Sequence, residues 1–205
     1  MNGLLINTAC GTQVLVRSGD DFYYKENNVN AGSEILMPLI DATLGEAGLT
    51  LADIDVFGAC VGPGSFTGLR IGLTTVKAFC YASGKPCFAV NNLRLLSYNN
   101  NVDNVIAVAD AGNKVCYIAE FDKDAEILPC KCVTTDDAKA YIAARPQCKV
   151  SVDKKLKDAF VGTAGTGKTE LMRAFDAHAH KTISYSELLP LYVRKAQPER
   201  GEGDL

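Results

Sequence analysis

What the sequence lacks narrows its reading first. No stretch approaches the ~20 apolar residues that a helix needs to cross a bilayer, so no membrane segment is expected. The opening Met1-Asn2-Gly3-Leu4-Leu5-Ile6-Asn7 has no basic flank, and its apolar run is too short for a signal peptide. It reads as the first strand of a cytoplasmic protein. Histidine is scarce: His178 and His180 lie two residues apart and point to different faces of a helix. They cannot form the i, i+4 pair of a zinc peptidase, and none of the eight cysteines makes a C-x-x-C pair. No metal site is expected. The G-x-S-x-G elbow of a serine hydrolase is missing too, because Gly64 directly precedes Ser65.

Strong positive charge is also lacking. A net charge of -3 gives none of the field expected of a stand-alone nucleic-acid binder. The 205 residues, 47% of them hydrophobic, are enough for one large domain or two small ones. Cysteines sit inside apolar runs, as in Gly58-Ala59-Cys60-Val61 and Val115-Cys116-Tyr117, and read as buried, reduced thiols.

The chain opens as an antiparallel meander. Strands are expected at Leu4–Asn7, Gln13–Arg17 and Phe22–Tyr24, with turns at Ala9–Thr12 and Gly19–Asp21. A helix follows over 33–48, capped by Ser33, interrupted by Pro38 and stopped by Gly48. Its apolar residues, among them Leu36, Met37 and Ile40, cover about 200° of arc, more than one sheet needs. Asp55–Val61 is a strand covered on both faces. The helix over 67–83 has two apolar faces: Leu69, Leu73, Val76 and Cys80 on one side, Ile71, Ala78, Phe79 and Ala82 on the other. Both helices thus carry surplus apolar surface for a partner. Gly68 and Gly72, four apart, leave room for another backbone to approach.

The Asn-rich segment 91–103 marks a boundary, giving an expected first lobe of 1–100 and a smaller second lobe of 101–205. Val105–Asp110, a polar turn and Val115–Ala119 repeat the opening strand-turn-strand, which suggests a duplicated fold. The second lobe continues with an expected helix at 135–145, a strand at Ala159-Phe160-Val161 and a helix at 168–178. A charged tail over 199–204 closes the chain.

Two glycine-rich turns carry the functional reading. In Gly62-Pro63-Gly64-Ser65-Phe66-Thr67-Gly68-Leu69-Arg70-Ile71-Gly72 a strand enters a turn and then a helix whose amino end exposes N–H groups. Such a corner can hold an anion, or its glycines can simply let helix and strand pack closely. The stretch resembles the signature of the TsaB (YeaZ-like) family of threonylcarbamoyladenosine biosynthesis proteins. Ser33–Ile40, Gly84-Lys85-Pro86, Asp110-Ala111 and Pro190-Leu191-Tyr192-Val193-Arg194 are similar to further motifs of that family, in the same order.

The resemblance implies an α/β protein of the two-lobed actin/Hsp70/sugar-kinase-like (ASKHA) fold, with mixed sheets flanked by helices. It implies a non-catalytic subunit that binds a TsaD-like catalytic subunit and a TsaE-like ATPase, and meets tRNA only through the complex. ATP or ADP and magnesium would belong to the complex, with no cofactor of the chain's own. Leu36, Met37, Ile40, Leu69, Ile71, Leu73 and Val76 are the candidate partner contacts, and the same surface is open to homodimer formation when the partner is missing. Asn7, Asp110, Gly165 and Gly167 are the positions expected to face a nucleotide. Three positions depart from the family: Asn7 replaces an acid, Gly112 an arginine and Gly32 a histidine.

The second turn, Gly162-Thr163-Ala164-Gly165-Thr166-Gly167-Lys168-Thr169, fits the P-loop pattern, with Lys168 for phosphate and Thr169 for magnesium. It supports a rival reading, a small P-loop nucleotide hydrolase. Only 36 residues follow Thr169, too few to build such an enzyme's sheet.

Overall fold

The computed structural model describes residues 1–27 and 33–193. Gly32, the Ser33 side chain, Arg194, Lys195, Arg200 and the charged tail lie outside the described residues. The chain divides into two units: Met1–Asn92 with Gly167–Pro190, and Leu93–Thr166 with Leu191–Leu205.

The first unit holds strands β1 (Gly3–Asn7), β2 (Thr12–Ser18), β3 (Asp21–Asn27), β4 (Val56–Gly62) and β5 (Cys87–Asn91). They order as β3-β2-β1-β4-β5. The β1–β2 and β2–β3 pairs are antiparallel, and β1–β4 and β4–β5 are parallel. β1 and β4 are buried almost throughout, as their near-continuous apolar runs require. Three helices cover this sheet: α1 (Ser33–Glu46), α2 (Phe66–Ser83) and α5 (Lys168–His178).

Strand alternation assigns the helices to faces. Phe57 of β4 meets Phe79 of α2 at 5.5 Å, and Lys25 of β3 pairs with Glu46 of α1 at 2.5 Å. Ladder register places Phe57 and Lys25 on the same side as Leu4, Ile6 and Val14, so α1 and α2 share one face. The opposite face belongs to α5. Its Phe175 stacks edge-on against Phe22 and Phe88, at 6.1 and 5.4 Å, and occupies the space that a side chain at Gly3 would need. Arg17 lies over the Phe175 ring and pairs with Asp176 at 2.9 Å.

The expected second lobe of 101–205 is therefore corrected. Residues 167–190 belong to the first unit, because Phe175 is fully buried in that sheet and Ile183 bridges to Cys87 at its edge.

The second unit holds β6 (Asn104–Gly112), β7 (Val115–Asp122), β8 (Ala125–Thr134), β9 (Lys149–Val152) and β10 (Thr163–Ala164). Their order, β10-β9-β6-β7-β8, is that of the first sheet strand for strand. The duplicated topology is that of the actin/Hsp70/sugar-kinase class. α4 (Thr135–Ala143) and Phe160 cover one side through Ile106, Val108, Ile118 and Val152. α3 (Asn92–Ser97) covers the other through Leu93, Leu96, Ala107 and Ala119. The strand expected at 159–161 is a turn; β9, ten residues earlier, takes the place beside β6.

All eight cysteines are free thiols. Burial pushes Cys60, Cys80 and Cys116 up to about 12, which keeps them protonated at neutral pH. Among the described residues no helix is long and apolar enough to cross a membrane.

Candidate functional site

The signature turn is built around close approach. Gly62, at φ 104, has a backbone that only glycine adopts freely. A side-chain carbon at Gly64 would lie 2.6 Å from the Ala9 carbonyl oxygen. One at Gly68 would lie 2.3 Å from the Thr8 carbonyl oxygen, and one at Gly72 would lie 2.3 Å from Thr8 Oγ1. Ser65 N–H donates to Ala9 O at 2.8 Å, and Asn92 Nδ2 donates to Pro63 O at 2.9 Å. Gly68 thus meets the backbone, and Gly72 the Thr8 side chain, of the chain's own β1–β2 turn. Ser65 caps α2 by accepting Gly68 N–H at 3.2 Å. Arg70 stacks on the exposed Phe66 ring at 3.8 Å.

Asn7 is 2% exposed and committed at both ends: Oδ1 accepts Ala9 N–H at 3.0 Å, and Nδ2 donates to Gln13 Oε1 at 2.8 Å. Gln13 in turn donates to Tyr24 Oη at 3.0 Å. An aspartate could not donate to Gln13 Oε1, so an amide fits this buried relay as it stands better than an acid would. In the second unit Asp110 Oδ1 accepts Gly112 N–H at 2.9 Å, closing a turn in which Gly112 sits at φ 75. Glycine adopts that backbone without strain. Asp110 N–H donates to the buried Asp153 at 2.6 Å. Desolvation holds the Asp153 carboxyl above its ordinary range.

The P-loop pattern does not form a phosphate cradle. Thr163 and Ala164 are extended and paired with β9. Gly162 is packed on the Val150 carbonyl oxygen, and Gly165, at φ 83, on the Lys154 side chain. Gly165 N–H donates to Val152 O at 2.7 Å, and Gly167 N–H to Glu170 Oε2 at 2.7 Å. The amides of Gly165 and Gly167 are thus occupied, and the Glu170 carboxylate lies at the helix end. These contacts argue against the rival reading. Of the four positions expected to face a nucleotide, Asn7 and Gly165 are used internally, Asp110 closes a turn and Gly167 is capped.

The candidate partner contacts divide. Leu36, Ile40, Leu69, Leu73 and Val76 are at most 4% exposed within the chain itself. As contact residues these five are corrected: α1 and α2 turn them onto the sheet. Met37, 40% exposed, and Ile71, half-buried, remain outward. The outward stripe of α1 runs Glu34, Met37, Pro38, Asp41, Ala42, Gly45; that of α2 runs Phe66, Arg70, Thr74, Ala78, Tyr81. Sequence reasoning misses these rows because surplus apolar arc does not equal free surface: Phe79 and Leu44 are drawn into the core side. One signal was available. α1 carries three acids and no base, whereas α2 carries Arg70 and Lys77 and no acid.

Two sheets of one repeated topology, with a glycine-tightened corner between strand and helix, define a member of the actin/Hsp70/sugar-kinase class. The family model for TsaD, tRNA N6-adenosine threonylcarbamoyltransferase, matches residues 28–186. The chain belongs to that family. Its fold is similar along nearly its whole length to YeaZ from Pseudomonas aeruginosa (TM-score 0.75, 19% identity, 93% of this chain and 99% of that one). A further Pseudomonas aeruginosa protein described as similar to the peptidase YeaZ superposes with a TM-score of 0.77, 19% identity, and 94% and 99% coverage. A tRNA N6-adenosine threonylcarbamoyltransferase of Sphingopyxis alaskensis is 47% identical over 58 residues, 28% of this chain and 17% of that protein. The Rhizobium meliloti enzyme of the same name is 52% identical over 60 residues, 29% and 17% respectively. The chain therefore spans under a fifth of the length of these relatives.

Proposed function

We propose that this chain is a non-catalytic, cytoplasmic subunit of the tRNA threonylcarbamoyladenosine modification system, of the TsaB type. It docks a related TsaD-like catalytic subunit through the outward stripes of α1 and α2. A TsaE-like ATPase joins the complex, tRNA is met only through it, and nucleotide and magnesium belong to the complex rather than to this chain. Membership in the TsaD family and the YeaZ-like fold support the system.

The observation that carries the non-catalytic reading is the commitment of Asn7. A carboxylate at the end of β1 could hold a metal-bound phosphate, but here an amide is locked between Ala9 N–H and Gln13. The docking reading is supported by opposite charge on adjacent helices of one face: Glu34 and Asp41 on α1, Arg70 and Lys77 on α2. A related chain, or a second copy, can lay its own acidic helix on α2 and its basic helix on α1. Binding then favours whichever partner conformation contacts the stripes better.

The test is reconstitution of the modification from the host's catalytic subunit, the ATPase and the donor-forming enzyme, with and without this chain. The reading expects co-purification with the catalytic subunit and a strong dependence of tRNA modification on the chain. Full modification without it would end the proposal.

A further inference from the structure

Two polar groups in the second unit are sealed from solvent and meet no protein partner, Asn100 Nδ2 and Ser151 Oγ. Ser151 is fully buried. Nearly all buried polar groups in folded proteins are satisfied, so a pair of orphans in one neighbourhood calls for an occupant.

Register places them together. Ser151 of β9 lies between Ala107 of β6 and Thr163 of β10, and its side chain shares their face. Ala107 packs with Leu93 and Leu96, so this is the face covered by α3. The turn leaving α3 comes down on the same strands. Asn99 Nδ2 donates to Gly165 O, and Thr163 Oγ1 donates to Asn100 Oδ1 at 3.4 Å. The Asn100 amide is thus held over Thr163, one strand from Ser151. Neighbouring strands lie ~4.8 Å apart, the span that a small molecule making two hydrogen bonds of ~2.9 Å can bridge.

The chemistry limits what that molecule is. The amide Nδ2 only donates, so the occupant must accept; the serine hydroxyl takes either role. The apolar neighbours Ala107 and Leu96 disfavour a charge. We propose that one internal water molecule bridges Asn100 Nδ2 and Ser151 Oγ and fastens the turn after α3 to β9 and β10. Such waters are structural parts that are costly to remove.

The test uses the full chain. A crystal structure at about 1.5 Å should contain an ordered water within about 3.2 Å of both groups. A direct bond between the two side chains, or a dry contact, overturns the proposal. Thermal melting gives a second reading with opposite signs. With the water, Ser151→Ala removes a satisfied group and lowers Tm by about 2–4 °C. In an Asn100→Ala background, where the bridge is already broken, the same change costs much less. Without the water, Ser151→Ala deletes an unsatisfied hydroxyl, and Tm rises in both backgrounds.

Discussion

Gly68 of α2 lies so close to Thr8 that a side-chain carbon on it would stand 2.3 Å from the Thr8 carbonyl oxygen. That backbone is held in the β1–β2 turn and cannot step aside cheaply. Gly68→Ala should therefore lose about 1–3 kcal/mol of stability, although alanine is the better helix former by ~1 kcal/mol. Gly45, on the open side of α1, has nothing within 4 Å of that position. Gly45→Ala should instead gain up to ~1 kcal/mol. Urea denaturation of the two variants should give opposite signs.

The return of α5 to the first sheet makes Phe175 a keystone of that unit. Its ring is fully buried, touches Phe22 and Phe88, and lies under Arg17. Phe175→Ala should cost about 3–5 kcal/mol. The measurement is the urea midpoint, with Asp176→Asn as a companion. Asp176 is mostly exposed, so that variant should shift stability by under ~1 kcal/mol.

Tyr141 gives a pH signature. Burial, followed by its hydrogen bond to the Glu120 carboxylate, raises its phenol to about 12. A raised value means that the folded state prefers the protonated phenol. Its stabilisation is complete below the ordinary value near 10 and is lost as pH rises from there through about 12. Difference absorbance of the phenolate between the native chain and Tyr141→Phe should place this titration above the ordinary tyrosine range. Stability of Tyr141→Phe should fall less steeply between pH 10 and 12.

Lys168 separates the rival readings of the second glycine turn. With Gly167 N–H held by Glu170, Lys168→Ala should leave partner binding and reconstituted modification unchanged within twofold. Glu170→Ala should cost about 1 kcal/mol of stability by uncovering the helix end. A loss of nucleotide turnover specific to Lys168→Ala would revive the hydrolase.

Much of the architecture was legible because periodicity and punctuation agreed. α5 was read at its observed bounds, and Gly84, at φ 69, ends α2 as a glycine stop should. Pro129 and the exposed charges Glu126 and Lys131 make β8 look unlike a strand; they are tolerable because β8 lies at the sheet edge. β9 was missed because Lys149-Val150-Ser151-Val152 is short and alternates with polar residues. The burial of Leu73 and Val76 could not be told from that of Ile71 by pattern alone, since the helix has apolar residues on two sides. Only the sheet's position decides which side is covered. The same holds for α5, whose place in the first unit is a long-range fact set by Phe175 and Gly3.

The outward stripes of α1 and α2 are the proposed docking face, and the most direct measurement is the dissociation constant between this chain and its host's TsaD-like catalytic subunit. Arg70→Glu and Asp41→Lys reverse charge on exposed positions of the two helices and leave the core untouched. The prediction is at least about tenfold weaker binding for each, ~1.4 kcal/mol, with the free chain still folded and its melting temperature lowered by no more than about 4 °C where Arg70 loses its stack on Phe66. Unaltered affinity for both variants would contradict the assignment.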